Sequence, residues 1–203
     1  MLARFDFLYL ASQSARRRQL LGQIGVRHEL LLADADEDAE ALEATRTGEL
    51  PADYVERVTR AKLGAARQRL ARRGLPPAPI LCADTTVALG RRILGKPADA
   101  GEAAATLLAL SGRSHRVLTA VAVHDGRRGH FALSTSSVRF ADLPAGVIEA
   151  YVASGEPFGK AGAYAIQSSL AGWIARIAGS YSGIMGLPLY ETTQLLRRAH
   201  LRF

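Results

Sequence analysis

The chain has 203 residues, 48% of them hydrophobic and 22% charged, which suits one domain, or two lobes around one cleft, and excludes a disordered protein. No run approaches the roughly 18 apolar residues of a membrane span, and the single cysteine, Cys82, excludes an internal disulfide and fits a reducing cytoplasm. A net charge of +7 raises nucleic acid as a partner, yet the basic residues are scattered in pairs such as Arg72-Arg73 and Arg127-Arg128, without zinc-finger spacing, an RNP-type motif or a basic tail. A small polyanion is the simpler partner.

Asp6 interrupts the first apolar patch and no small-residue cleavage site follows, so no secretory signal is expected. Residues 7–11 read as a buried strand, and Ser14 as the N-cap of a helix over 15–22 with Leu20, Leu21 and Ile24 at helical spacing. Arg16, Arg17 and Arg18 fall in its first turn, the wrong end of the helix dipole for cations unless an anion arrives there. A solvated basic turn is the alternative, and it suits Arg18 best. Residues 28–33 read as a second strand running into the acidic loop Asp34-Ala35-Asp36-Glu37-Asp38. Such a cluster is either a solvated face or a source of one carboxylate for Mg²⁺, with Glu37 as the candidate.

Residues 53–73 form an amphipathic helix, with Tyr54, Val58, Ala61, Ala65 and Leu70 along one face and Lys62 near it. A proline-rich linker, residues 74–79, leads into an apolar strand from Ile80 that contains one acid, Asp84, between Ala83 and Thr85. A carboxylate there is costly unless it is paired, so Asp84 is the natural centre of a site. The string Gly90 to Lys96 nearly matches a phosphate-binding P-loop, but Pro97 stands where the Mg²⁺-binding hydroxyl belongs. The next helix begins only after Asp99, with Glu102 completing a capping box, so Lys96 is read as a loop lysine aimed back at the site.

Residues 115–123 and 134–140 alternate as paired strands around a polar turn, and 144–153 forms a helix. A glycine-rich loop carries Lys160. Residues 163–166 and 173–177 read as strands, 179–183 as a turn and 188–198 as a closing helix. The elements intermix without a strict βαβ repeat, so a mixed α/β fold is expected. Of the 26 basic residues only Lys62, Lys96 and Lys160 are lysines. In so arginine-rich a chain, each is either a chance survivor, with Lys62 simply snorkelling, or a place where a compact three-donor ammonium is needed in place of a planar fork, and their unusual local sequences favour the latter. No nucleophile elbow is present, Cys82 lacks the surroundings of a reactive thiol, and the five histidines show no metal-binding spacing. What remains suits phosphoryl chemistry, in which positioning and charge neutralisation supply most of the catalysis.

Leu10 to Arg17 (LASQSARR), Ala83-Asp84-Thr85, Gly95-Lys96-Pro97, Glu156-Pro157 with Lys160 to Gln167, and Gly186-Leu187-Pro188-Leu189 together resemble the Maf family, in order and over nearly the whole chain. The resemblance implies a single domain, residues 1–203, with an elongated mixed sheet and two lobes flanking a cleft, related to inosine triphosphate pyrophosphatases. It implies hydrolysis of a nucleoside triphosphate to monophosphate and pyrophosphate with a divalent cation, Mg²⁺ or Mn²⁺, in the cytoplasm, and a homodimer as the assembly to test. By position, Asp84 matches the general base and a metal ligand, Glu37 a metal-binding acid, and Ser12, Arg17, Lys62 and Lys96 the phosphate-binding set. Arg16, Thr85 and Gln167 match positions separating a dTTP/UTP-preferring branch from a 7-methyl-GTP branch, and ADTT and AYAIQ look like the former. Ala15 replaces a common proline, and Gly159 an acid that precedes the lysine in many relatives, which weakens a role for Lys160. The competing readings are a 7-methyl-GTP pyrophosphatase and a non-catalytic nucleotide- or nucleic-acid-binding regulator of division.

Overall fold

A computed structural model describes residues 5–35, 37–38 and 41–203; Asp36 of the acidic loop lies outside them. Seven strands form one mixed sheet. β1 (Leu8–Leu10), β2 (His28–Leu30), β3 (Ile80–Leu89), β5 (Ser114–His124), β6 (Gly129–Phe140) and β7 (Ile174–Ala178) lie in the order β2-β1-β3-β5-β6-β7, and β4 (Arg92–Leu94) pairs with β3 off that path. β2, β1 and β3 are mutually parallel, whereas every pairing from β3 onward is antiparallel. Helices α1 (Ala15–Gln23), α2 (Pro51–Arg72), α3 (Ala100–Leu110), α4 (Ala145–Ala153), α5 (Tyr181–Met185) and α6 (Leu189–Arg198) cover it. None is long and apolar enough to cross a membrane.

Local chemistry explains the boundaries. Ser14 accepts a hydrogen bond from Arg17 N and caps α1, and Asp99 accepts from Glu102 N at the start of α3. Glu102 reaches back to Ala98 N, one residue before the usual capping-box partner. β2 ends three residues earlier than the apolar run suggests, because only three residues pair with β1. The buried stripe of α2 runs through Val55, Val58, Leu63 and Ala66, rotated from the face expected through Ala61 and Ala65, which stay half-buried.

Two further expectations are corrected. Residues 163–166 are not a strand: Gly162 and Ala163 adopt left-handed φ of 71° and 59°, and the chain turns there through a 3₁₀ segment, Ala161–Ala163. A Cβ on Gly162 would come within 2.8 Å of Val87, so this turn is pressed against β3. Residues 179–183 are not a simple turn either, since Ser180 accepts from Gly183 N and caps α5. Because β3 alternates, Cys82 packs under α2 beside Leu63 and Ala66, while Ala83 joins the core of α1 and α6 on the other face.

Candidate active site

Along one side β3 is paired with β5 from Ile80 to Ala88 without interruption. On its other side β1 reaches only Leu81 and β4 begins only at Val87. Between these two partners the edge of β3 is open, and Asp84, Thr85 and Thr86 lie in that gap. A cleft of about 1130 Å³ opens there. Alternation sends Asp84 towards α2 and Thr85 towards α1 and α5, so one dipeptide serves two walls.

On the α2 wall, Asp84 is 8% exposed and its Oδ1 accepts from Lys62 Nζ at 2.6 Å. Lys62 also donates to Glu43 Oε1 at 2.7 Å, and Lys96 Nζ donates to Glu43 Oε2 at 2.6 Å. Asp84, Lys62, Glu43 and Lys96 thus form one alternating chain of charges. Among the described residues no protein group donates to Asp84 Oδ2, which leaves it for a ligand or water. Half-buried as it is, the Glu43 carboxyl is still held below the usual range by its two ammonium partners, which outweigh the upward push of burial. The surrounding backbone is fastened to α2: Tyr54 Oη donates to Glu43 O at 2.8 Å, and Arg57 donates to Ala44 O and grips both oxygens of Glu49.

On the opposite wall the Arg17 guanidinium is fixed three ways, donating to Gly186 O at 2.8 Å, Ser12 Oγ at 3.1 Å and Thr85 Oγ1 at 3.4 Å. Thr85 Oγ1 lies 2.9 Å from Thr119 Oγ1, which donates to Gly183 O at 2.8 Å. Hydroxyls carry one proton each, so this chain has a single direction. Thr119 spends its proton on the carbonyl, Thr85 donates to Thr119, and Arg17 donates to Thr85. With one lone pair already accepting from Arg17, Thr85 therefore offers the cleft a single acceptor lone pair and no donor. Arg16, Lys160 and the exposed Gln167 also line the cleft, and Lys160 donates to Glu156 O. Burial, then the nearby Arg16, pulls the Lys160 ammonium below its ordinary value.

The sequence-derived residues Ser12, Arg16, Arg17, Lys62, Asp84, Thr85, Lys96 and Gln167 all converge here. Glu37 also borders the cleft, but its partners differ from those expected. Arg69 donates to both of its oxygens, at 2.9 and 2.5 Å, and Arg72 adds a contact at 2.7 Å. Arg69 leads the causes that hold the Glu37 carboxyl down at about 2. The carboxylate that shares Lys62 with Asp84 is Glu43, and it and Thr119 escaped sequence reasoning. Burial pushes the Cys82 thiol up to about 12, which agrees with an inert core cysteine.

Among the described residues no three histidine, cysteine or acidic side chains converge as a ready-made metal cage. The donor set still fits a hard cation, because Mg²⁺ takes one or two carboxylates and completes its shell with water and phosphate oxygens, and Asp84 Oδ2 is free to be one of them.

A family model described as Maf-like protein matches residues 7–199. The chain is 64% identical over 197 residues to a protein named dTTP/UTP pyrophosphatase from Polaromonas sp. (strain JS666), covering 97% of this chain and 98% of that one. It is 65% identical over 198 residues to a protein of the same name from Cupriavidus metallidurans, with 98% and 99% covered. A third, from Burkholderia mallei, is 60% identical over 201 residues, with 98% and 96% covered.

Proposed function

The chain belongs to the Maf family, and from that membership we propose that it hydrolyses dTTP and UTP to the nucleoside monophosphate and pyrophosphate, clearing unwanted triphosphates from the nucleotide pool. The observation that carries this reading is Asp84: a nearly buried carboxylate at an open strand edge, paired with Lys62 and faced by the cations of both cleft walls.

Water attacks the α-phosphorus, an O–P bond forms, and the bond from that phosphorus to the bridging oxygen of the β-phosphate breaks. Asp84 takes the proton of the attacking water. Lys62 fixes the orientation of that carboxylate through its contact with Oδ1. Lys96, Lys62, Arg16 and Arg17 neutralise the triphosphate and the negative charge that grows on the leaving pyrophosphate. The three fixed contacts of Arg17 make it a rigid wall, and Thr85 and Gln167 face the remainder of the nucleotide. The acceptor-only hydroxyl of Thr85 complements the N3–H of thymine or uracil, and the Gln167 amide can both donate to and accept from an imide edge. Asp84, together with phosphate oxygens, would hold Mg²⁺ or Mn²⁺; the cation's contribution is Lewis-acid neutralisation and a more acidic water. Glu37 would join that set in competition with Arg69 and Arg72, which already hold its carboxylate.

Purified protein is incubated with Mg²⁺ or Mn²⁺ and each of dTTP, UTP, CTP and 7-methyl-GTP, and pyrophosphate release is measured. Turnover of dTTP and UTP is expected, with ¹⁸O from solvent water entering the monophosphate. Asp84→Asn should lower kcat by about 10²- to 10⁴-fold, the usual span for a lost general base. Near-wild-type activity in that variant would remove Asp84 from the mechanism. Preferential turnover of 7-methyl-GTP would assign the other branch. DNA binding at physiological salt with no pyrophosphate released from any triphosphate would favour the regulator.

A further inference from the structure

Glu43 has no place in the reaction just described, yet it occupies the space that reaction needs. Its two oxygens bridge Lys62 and Lys96, the two lysines flanking the catalytic acid, at distances typical of charge-assisted hydrogen bonds. We propose that the Glu43 side chain is an internal anion that occupies the Lys62–Lys96 cradle and is displaced from it by the incoming triphosphate. The inference rests on a triphosphate being the substrate.

Three features support displacement over a permanent structural clasp. First, the contacts are exchangeable. The Lys96 side chain is 45% exposed and that of Glu43 24%, so solvent screens the pair and it is weak. A phosphate offers the same ammonium more negative charge and more acceptor oxygens. Second, the side chain can leave while its backbone stays. The Glu43 carbonyl is held by Tyr54, and Ala44 by Arg57, so a change of side-chain rotamer suffices and no loop need open. Third, departure does not strip Lys62 of its partner. That ammonium keeps Asp84 at 2.6 Å and has donors left over for phosphate, so the Lys62–Asp84 contact persists throughout. Glu43 is accordingly a competitor of the phosphate for both ammonium groups.

Glu43→Gln keeps one acceptor oxygen and the side-chain shape but removes the competing charge. Binding of inorganic tripolyphosphate in EDTA, measured by calorimetry, is expected to tighten about two- to fivefold, the worth of a partly screened ion pair. KM for dTTP should fall by the same factor with kcat within about twofold, because ground-state competition alone is removed. Glu43→Asp, which retains the charge, should show no tightening. Glu43→Ala serves the same test if the glutamine variant cannot be purified. Unchanged or weaker tripolyphosphate binding in both Glu43→Gln and Glu43→Ala would overturn the proposal, as would a raised Mn²⁺ requirement with unchanged KM, the signature of a metal ligand. Wild-type pyrophosphate release is scored separately: if it is absent, the triphosphatase reading falls, while the calorimetry still reports on Glu43.

Discussion

At the scale of single residues, the site depends on which groups have already spent their protons. Thr119 is nearly fully buried and its hydroxyl is committed to Gly183 O, which forces Thr85 to donate inward and to accept from the cleft. An acceptor at that point favours a base edge that donates, as uracil N3–H does and cytosine N3 cannot. Thr119→Val should free the Thr85 hydroxyl to donate as well as accept. The ratio of kcat/KM between UTP and CTP should then shrink by about tenfold, one hydrogen bond's worth of discrimination, with Thr119→Ser restoring it. A ratio unchanged in the valine variant would show that the direction of the chain does not reach the substrate. Thr119 could not have been found in the sequence, where it is one polar residue among alternating strand positions. Asp84 could, because an acid inside Ile-Leu-Cys-Ala announces an unusual need for a partner. Glu37 shows the limit of such reading: an acid after a buried strand fits a metal, and only the fold reveals Arg69 waiting for it.

Among the elements, α2 contributes most to the site, carrying Lys62 and Arg69 two turns apart and fastening the segments that hold Glu43 and Glu37. Most elements were legible from periodicity and caps. The failures came where backbone conformation overrode composition: Ala163-Tyr164-Ala165-Ile166 has strand-like residues, but the positive φ at Gly162 and Ala163 bars pairing. What holds that segment is β5. His115, at the start of β5, stacks on Phe140 and its Nε2 lies 2.7 Å from Tyr164 Oη, whose hydroxyl burial keeps protonated. Burial pulls His115 down from the ordinary 6.5 to about 4. It is therefore neutral in the fold, while the unfolded chain takes up a proton below 6.5. Stability from this source is complete above pH 6.5 and is lost as pH falls towards 4, on the order of 3 kcal/mol in all. Melting temperatures measured between pH 7 and 4 should fall through that window, and His115→Gln should flatten the fall. An equally steep decline in the variant would place the acid sensitivity elsewhere.

At the scale of the molecule, the sheet changes from parallel to antiparallel at β3, and this change creates the gap. A parallel partner and a short antiparallel return both end before meeting, so five residues of a central strand behave as an edge. Neither β1's stopping point nor β4's starting point is visible in sequence patterns, which is why the cleft had to come from resemblance. The gap also divides the backbone of β3 into two populations. Tyr9 N donates to Pro79 O and Ala11 N to Leu81 O, so the N–H and C=O of odd-numbered residues face the β1 side and those of even-numbered residues face β5. By that alternation the amides of Ala83 and Thr85 open into the cleft, while the amide of Asp84 is sealed in the ladder with Ala120. Amide hydrogen exchange should consequently be fast at Ala83 and Thr85 and slow at Asp84 between them. Adding tripolyphosphate should slow the two fast sites and leave the slow one unchanged; uniform protection along the strand would contradict the gap. The Asp84 carboxylate is thus anchored to a residue whose amide exchanges only when the sheet itself comes apart, flanked on either side by two that sense whether the site is filled.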